Sequence, residues 1–225
     1  MTGFVIRRAA ERAVTTTDWL DSAHSFAFGP HYDPDNLGFG PLVALNRDVV
    51  APGPGYPAHR HAGLEILTWV LHGTLEHEGP DGLNRVPAGR LQYLSTGAGL
   101  NHAERSGSDR EPVRVVQMWL TGPAEGPPLY RVSPVPDGPW VLAAGVDPEA
   151  AIRLRYPVGR LYRSVLPAGH TIALPAGGLH LFVVAGAVTV GAQPLAAEDA
   201  LRGRAEQVSA VADAELLVWS FTDAC

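Results

Sequence analysis

Apolar residues along this chain come in short runs, not in long or helically spaced stretches. Residues 64–71 read LEILTWVL, 113–120 VRVVQMWL, 179–185 LHLFVVA and 215–221 ELLVWSF. Each run is rich in β-branched or aromatic side chains and is bounded by Gly, Pro or Asp, the usual signature of strands closed off by turns. Helical periodicity is weak. Only the stretch 192–200 leaves room for a turn or two of helix. The pattern predicts an all-β protein with few short helices.

The two halves share a pattern. With Gly73 set on Gly186, Trp69 falls on Phe182, Val70 on Val183 and Leu75 on Val188. A repeat at half the chain length points to a duplicated unit. The copies differ where the first has His59 and His61 and the second Ile172 and Leu174, so polar groups are expected inside the first copy alone. Between the halves, residues 121–139 read TGPAEGPPLYRVSPVPDGP, with six prolines and no periodicity, which suits an extended connection. The expected organisation is an N-terminal domain over 1–122, a linker over 123–139 and a C-terminal domain over 140–225 without a metal site.

Composition narrows the function. Hydrophobic residues make up 46% and charged residues 18% of the 225, with 25 Gly and 20 Pro, enough for a core and many tight turns. The 17 basic residues are all arginine, and the net charge is −6 with no basic block. Nucleic-acid binding is therefore disfavoured. No apolar run approaches the roughly 20 residues that span a bilayer, and no leader pattern opens the chain, so neither membrane insertion nor export is expected. The single cysteine, Cys225, allows no internal disulfide and reads as a terminal thiol. The expected setting is cytoplasmic.

Chemistry concentrates in two short segments. The first is Gly53-x5-His59-x-His61-x3-Glu65; the second contains His102-Ala103-Glu104. Residues two apart on a strand share a face, so His59 pairs with His61 and His102 with Glu104. Glu65 qualifies by the same parity. Three imidazoles and one carboxylate suit a first-row divalent metal with open coordination positions, with Glu65 and Glu104 both candidates for the acid. Among the nine histidines, His72 and His77 flank a hairpin Gly and are expected at the surface. His170 and His180 have no acidic or histidine partner two residues away. His24 and His31 suit capping or turn roles. There is no phosphate-binding loop with Lys and no nucleophile elbow.

The segments HSFAFGPHYDP (24–34), GFGPLVALNRD (38–48), HRHAGLEILTWVLHG (59–73), PAGRLQYLSTGAGLNHAE (87–104) and EPVRVVQMWL (111–120) together resemble the pirin family, bicupins of the cupin superfamily. They run in order through most of residues 20–122. The C-terminal half resembles the family's degenerate second cupin more loosely. The resemblance implies two jelly-roll β-barrels facing each other, with one mononuclear metal in the first. It also implies the ligands His59, His61, His102 and Glu104. Glu65 then lies beside the ligands or serves as an alternative base. Arg90 departs from the Asp that relatives often carry there, at a position outside the ligand set.

The same resemblance implies a quercetin 2,3-dioxygenase-type activity on a flavonol or related enol or phenol with O2, Glu104 acting as the base. Iron(II) is the first choice of metal, with nickel, copper, manganese, cobalt or zinc as alternatives. A flat substrate would need apolar walls, for which Phe26, Phe28, Phe39 and Trp69 are candidates. Other members act as metal-dependent regulators that bind partner proteins, which gives the alternative, non-enzymatic reading. Imidazoles must be neutral to bind metal, so metal should leave below about pH 6.

Overall fold

The four apolar runs become the central strands of two sheets, because a strand covered on both faces must be apolar on both. The structure is a computed structural model that describes residues 3–222; Cys225 lies outside the described residues. Strands in chain order are β1 (Phe4–Arg7), β2 (Ala13–Thr16), β3 (Leu20–His24), β4 (Leu42–Val50), β5 (Tyr56–His61), β6 (Leu64–His72), β7 (Thr74–Gly79), β8 (Gly82–Pro87), β9 (Arg90–Ser95), β10 (Leu100–Ser106) and β11 (Val113–Thr121). They continue as β12 (Leu129–Pro134), β13 (Val141–Gly145), β14 (Ile152–Arg153), β15 (Arg160–Leu166), β16 (Thr171–Ala173), β17 (Gly178–Ala185), β18 (Ala187–Val190), β19 (Gln193–Ala196), β20 (Ala200–Gly203), β21 (Gln207–Ala210) and β22 (Ala214–Phe221). Among the described residues the helical content is a single 3-10 turn at Ala9–Glu11. The stretch 192–200 that offered a turn of helix forms β19 instead.

The chain divides into two compact units. One is Ala13–Pro134, here the N-terminal unit; the other combines residues up to Arg12 with those from Val135 onward, here the C-terminal unit. Each contains a seven-stranded and a four-stranded sheet. In the N-terminal unit the orders are β12-β9-β6-β11-β4-β3-β2 and β5-β10-β7-β8. In the C-terminal unit they are β1-β20-β17-β22-β15-β13-β14 and β16-β21-β18-β19. The two sheets of a unit sandwich a shared core in the cupin jelly-roll manner, and they remain separate sheets instead of closing into one barrel. Leu75 and Val86 of the small N-terminal sheet pack with Val50, Val70, Val113 and Val115 of the large one.

The division departs from the boundaries read in the sequence at two places. Residues 3–12 do not belong with the N-terminal domain. β1 pairs antiparallel with β20, Phe4 opposite Gly203, and the Arg8 guanidinium and Ala9 N–H both bind Asp199 at 2.8 Å. Nothing local in the sequence announces a partner so far along the chain. The segment 123–139 is not wholly a linker either. Tyr130 and Val132 sit in β12, which pairs with β9; one of the six prolines, Pro134, ends that strand and the other five lie outside it.

The hairpin glycines that aligned the two halves have the same structural reason. Gly73 has φ +75° and Gly186 φ +80°. A Cβ at these positions would come within 2.8 Å of Pro112 O and 2.0 Å of Asp213 O respectively. The left-handed conformation and the close crossing of a neighbouring strand both require glycine.

Candidate metal centre

β5 and β10 set the histidines together. They pair antiparallel with His102 opposite His59 and Leu100 opposite His61. The register slips on the β5 side around Pro57, which has no N–H to give a neighbouring strand. The ring centroids of His59, His61 and His102 lie 4.5–5.0 Å from one another. Each ring offers a nitrogen, and these atoms fall within 4.8 Å of one another. The Nδ1–H of His59 donates to Pro57 O at 2.8 Å. In the neutral ring this leaves the Nε2 lone pair free to ligate. Neither nitrogen of the buried His102 has a hydrogen-bond partner among the described residues, which for a buried polar group needs a reason.

Glu104, 4% exposed, adjoins this trio through His102: its carboxylate falls within 4.8 Å of the donor atoms of His102 and His77, in a group that does not include His59 and His61. Gln92 Nε2 donates to its Oε1 at 3.0 Å and Gln117 Nε2 to its Oε2 at 2.8 Å. Both amides are themselves oriented. Trp119 Nε1, which can only donate, binds Gln117 Oε1 at 2.8 Å, and the Tyr130 hydroxyl donates to Gln92 Oε1 at 3.0 Å. Two aromatic residues thus turn two amide NH2 groups onto one carboxylate.

Burial acts on these groups in opposite senses. It pushes His61 and His102 down to about 4, the proximity of His59 adding to the effect and Glu104 opposing it. Burial also works against ionisation of Glu104. The His102 and His77 rings and the two amide donors outweigh it and hold the carboxyl below its ordinary value. At neutral pH His61 and His102 are therefore neutral beside an ionised Glu104, the protonation state a divalent cation requires of these groups. The donor set fits a first-row transition metal.

Three sequence expectations change. His77 is not at the surface: it is 2% exposed, pairs with Glu104 across β7 and β10, and stacks on Tyr130 at 4.7 Å. With His102 and Glu104 it forms a second trio whose donor atoms lie within 4.8 Å of one another. The signal was present in the strand itself, since His77 shares the parity of the buried Leu75. Glu65 does not join the site. In the large sheet Thr68 lies opposite Gln92 and Gln117, whereas Glu65 lies opposite Ser95 and Leu120. Glu65 therefore faces the other side of the sheet, where Ser95 Oγ donates to it at 2.7 Å and the Tyr93 hydroxyl also binds it. The two-residue turn at Ala62 and Gly63 between β5 and β6 breaks the alternation that linked it to His59 and His61.

The walls change as well. Trp69 lies on the Glu65 side of the sheet, and Phe26 is buried at 2% exposure. Trp119 meets His61 edge-on at 4.8 Å, and Phe28 meets Trp119 at 5.2 Å. Ile66, Leu94 and Leu100 continue the apolar lining. Elsewhere His72 and His170 are exposed. His180 is fully buried in β17, and burial holds it well below the ordinary imidazole value.

The family model described as Pirin matches residues 7–120. A Mycobacterium tuberculosis H37Rv protein is 41% identical over 227 residues, covering 95% of this chain and 93% of its own. The chain belongs to the pirin family. That mycobacterial pirin relative is provisionally named a quercetin 2,3-dioxygenase. The quercetin 2,3-dioxygenase of Escherichia coli K12 is 42% identical over 116 residues, 51% of this chain and 50% of its own. The crystal structure of the bacterial pirin YhhW from Escherichia coli, in complex with nickel(II), superposes with a TM-score of 0.92 at 30% identity, covering 98% of this chain and 99% of that one. In this pirin no helix of the described residues is long and apolar enough to cross a membrane.

Proposed function

We propose that His59, His61, His102 and Glu104 hold one divalent first-row transition metal, iron(II) in the cell. On this reading the protein is an oxygenase of the quercetin 2,3-dioxygenase type, taking a flavonol or a related enol or phenol. The observation that carries the reading is the convergence of three imidazole nitrogens, those of the buried His102 without a hydrogen-bond partner, with His102 also within reach of an oriented carboxylate. The names of two relatives and the nickel(II) of the YhhW complex support it. When bound, the cation supplies Lewis acidity, lowering the pKa of the flavonol 3-hydroxyl and holding the oxyanion.

The chain's own residues do the rest. Glu104, ionised and within the chamber, accepts the hydroxyl proton on a carboxylate oxygen. Gln92 and Gln117 keep that carboxylate in place before and after the transfer. Trp119 and Phe28 offer a flat apolar wall for the substrate rings, and the apolar lining excludes water. The overall conversion takes one flavonol and one O2 to a ring-opened ester and carbon monoxide, and needs no external reductant.

The test is loss of quercetin's near-visible absorbance with protein loaded with iron(II), nickel(II) or another divalent metal. Oxygen-dependent bleaching in air, absent under argon and abolished by His59→Ala, is expected. Tight metal binding with no turnover across those metals would overturn the oxygenase and leave a metal-dependent protein-interaction module.

A further inference from the structure

A second buried carboxyl lies in the N-terminal unit outside the four ligands and His77. Asp48, on β4, is 2% exposed. The Ser22 hydroxyl donates to its Oδ1 and the Tyr56 hydroxyl to its Oδ2, the latter at 3.2 Å. The groups around it are few. β3 contributes Ser22 and His24, β5 Tyr56, β10 Glu104, and β4 itself Arg47, whose guanidinium is paired with Asp21. β11 places the apolar Val115 opposite.

Asp48 is the inner end of a hydrogen-bonded line whose polarity is fixed by chemistry. Asn46 Oδ1 can only accept, so His24 Nδ1–H donates to it at 3.0 Å. Ser22 Oγ, its own proton on Asp48, also faces that N–H at 3.4 Å. His24 Nε2 is then an acceptor and takes the Thr15 hydroxyl proton at 2.9 Å. Thr15 Oγ1 in turn accepts from His31 Nε2–H at 3.1 Å. His24 is 4% exposed, whereas His31 and Thr15 are only partly buried. From His31 to Ser22 the donors run in one sense towards Asp48, the His24 N–H being shared between Asn46 at 3.0 Å and Ser22 at 3.4 Å. Such a line carries a proton by successive hops: His31 gives one to Thr15, Thr15 to His24, His24 to Ser22, and Ser22 to Asp48. The proton that starts the relay arrives from solvent on His31 Nδ1, so no ring is left as an imidazolate. Release runs the same path backwards.

We propose that Asp48 is a charge-compensating proton site for the metal chamber, exchanging with solvent through Ser22, His24, Thr15 and His31. The inference rests on the chamber holding a cation, as proposed above. Burial pushes Asp48 up to about 6, the Ser22 and Tyr56 hydrogen bonds oppose this, and the negative charge of Glu104 adds to it. Near that pH the metal-free chamber holds a partly protonated Asp48. Arrival of a divalent cation beside Glu104 cancels the smaller, repulsive contribution and adds an attraction for the ionised carboxyl that opposes the effect of burial, and the proton leaves.

The experiment is calorimetric titration of the metal-free protein with nickel(II) at pH 6, in buffers of different ionisation enthalpy, which counts protons released per ion. The wild type is expected to release about half a proton more than Asp48→Asn. Equal release with nickel bound overturns the role of Asp48; failure of nickel to bind at all instead overturns the metal reading. In the wild type itself, the infrared carbonyl band of a neutral buried carboxyl should titrate near pH 6 and vanish on adding nickel(II). Absence of that band sinks the idea even if Asp48→Asn does not fold. Thr15→Val should keep the proton count and slow the release several-fold in stopped flow with an indicator dye. An unchanged rate removes the conduit.

Discussion

In the N-terminal unit β5 and β10 set His59 opposite His102; in the C-terminal unit β16 and β21 set Ile172 opposite Val208. Two residues after each hairpin glycine the chain has Leu75 or Val188, both buried, and four residues after it His77 or Val190. The sheet orders correspond throughout the small sheets. What fills the sandwich does not. Around Val188, Val190 and Val208 the C-terminal interior is closed by Leu195, Leu201, Leu216 and Val218. The N-terminal interior gives that space to imidazoles, two glutamines and a carboxylate. The same backbone plan therefore tolerates either filling, and the cost of the polar one falls on a few groups: buried rings that lack hydrogen bonds until something coordinates them.

The sharpest way to break this contrast is to exchange one ring in each unit. His102→Ala should lower metal affinity by roughly 100-fold or more, while His170→Ala leaves it unchanged; metal content after dialysis reads both. Equal losses would mean that the C-terminal unit also binds metal. A middle-sized effect is expected from acid. His61 and His102 titrate near 4 in the folded protein against an ordinary value of 6.5. The unfolded chain thus takes up protons first, and the metal-free protein should lose stability as pH falls from about 6.5 to about 4, then level off. Urea titrations at pH 7, 5.5 and 4.5 check the slope. The same shift lowers the pH of metal release from the value near 6 expected of free imidazoles towards 5 or below; full release already at pH 6 would contradict the buried geometry. The smallest effect is expected from Phe28→Ala: KM for quercetin should rise several-fold with metal content unchanged, and an unaltered KM would take Phe28 out of the binding wall.

Much of this was legible in the sequence, and the failures have physical reasons. The central strands β6, β11, β17 and β22 declared themselves because both of their faces are buried. His59 could be paired with His61, and His102 with Glu104, because alternation holds within a strand. Glu65 was misplaced because alternation does not survive the turn at Gly63. His77 was missed because a histidine beside a hairpin glycine reads as surface, although Leu75 marked its side as inward. Gln117 carried a signal too, as an amide in the apolar run VRVVQMWL, yet which carboxylate it serves depends on β10. The pairing of β1 with β20 is a long-range contact with no local trace.

That last pairing sets an order of events during synthesis. The first strand leaves the ribosome with its partner almost the whole chain away, so it must wait, unpaired, while Ala13–Pro134 emerges and folds ahead of it. A fragment trimmed to that interval would lose nothing of its own sheets. One cut after Pro134 but keeping the first twelve residues would carry an orphan edge, open to pairing with another chain.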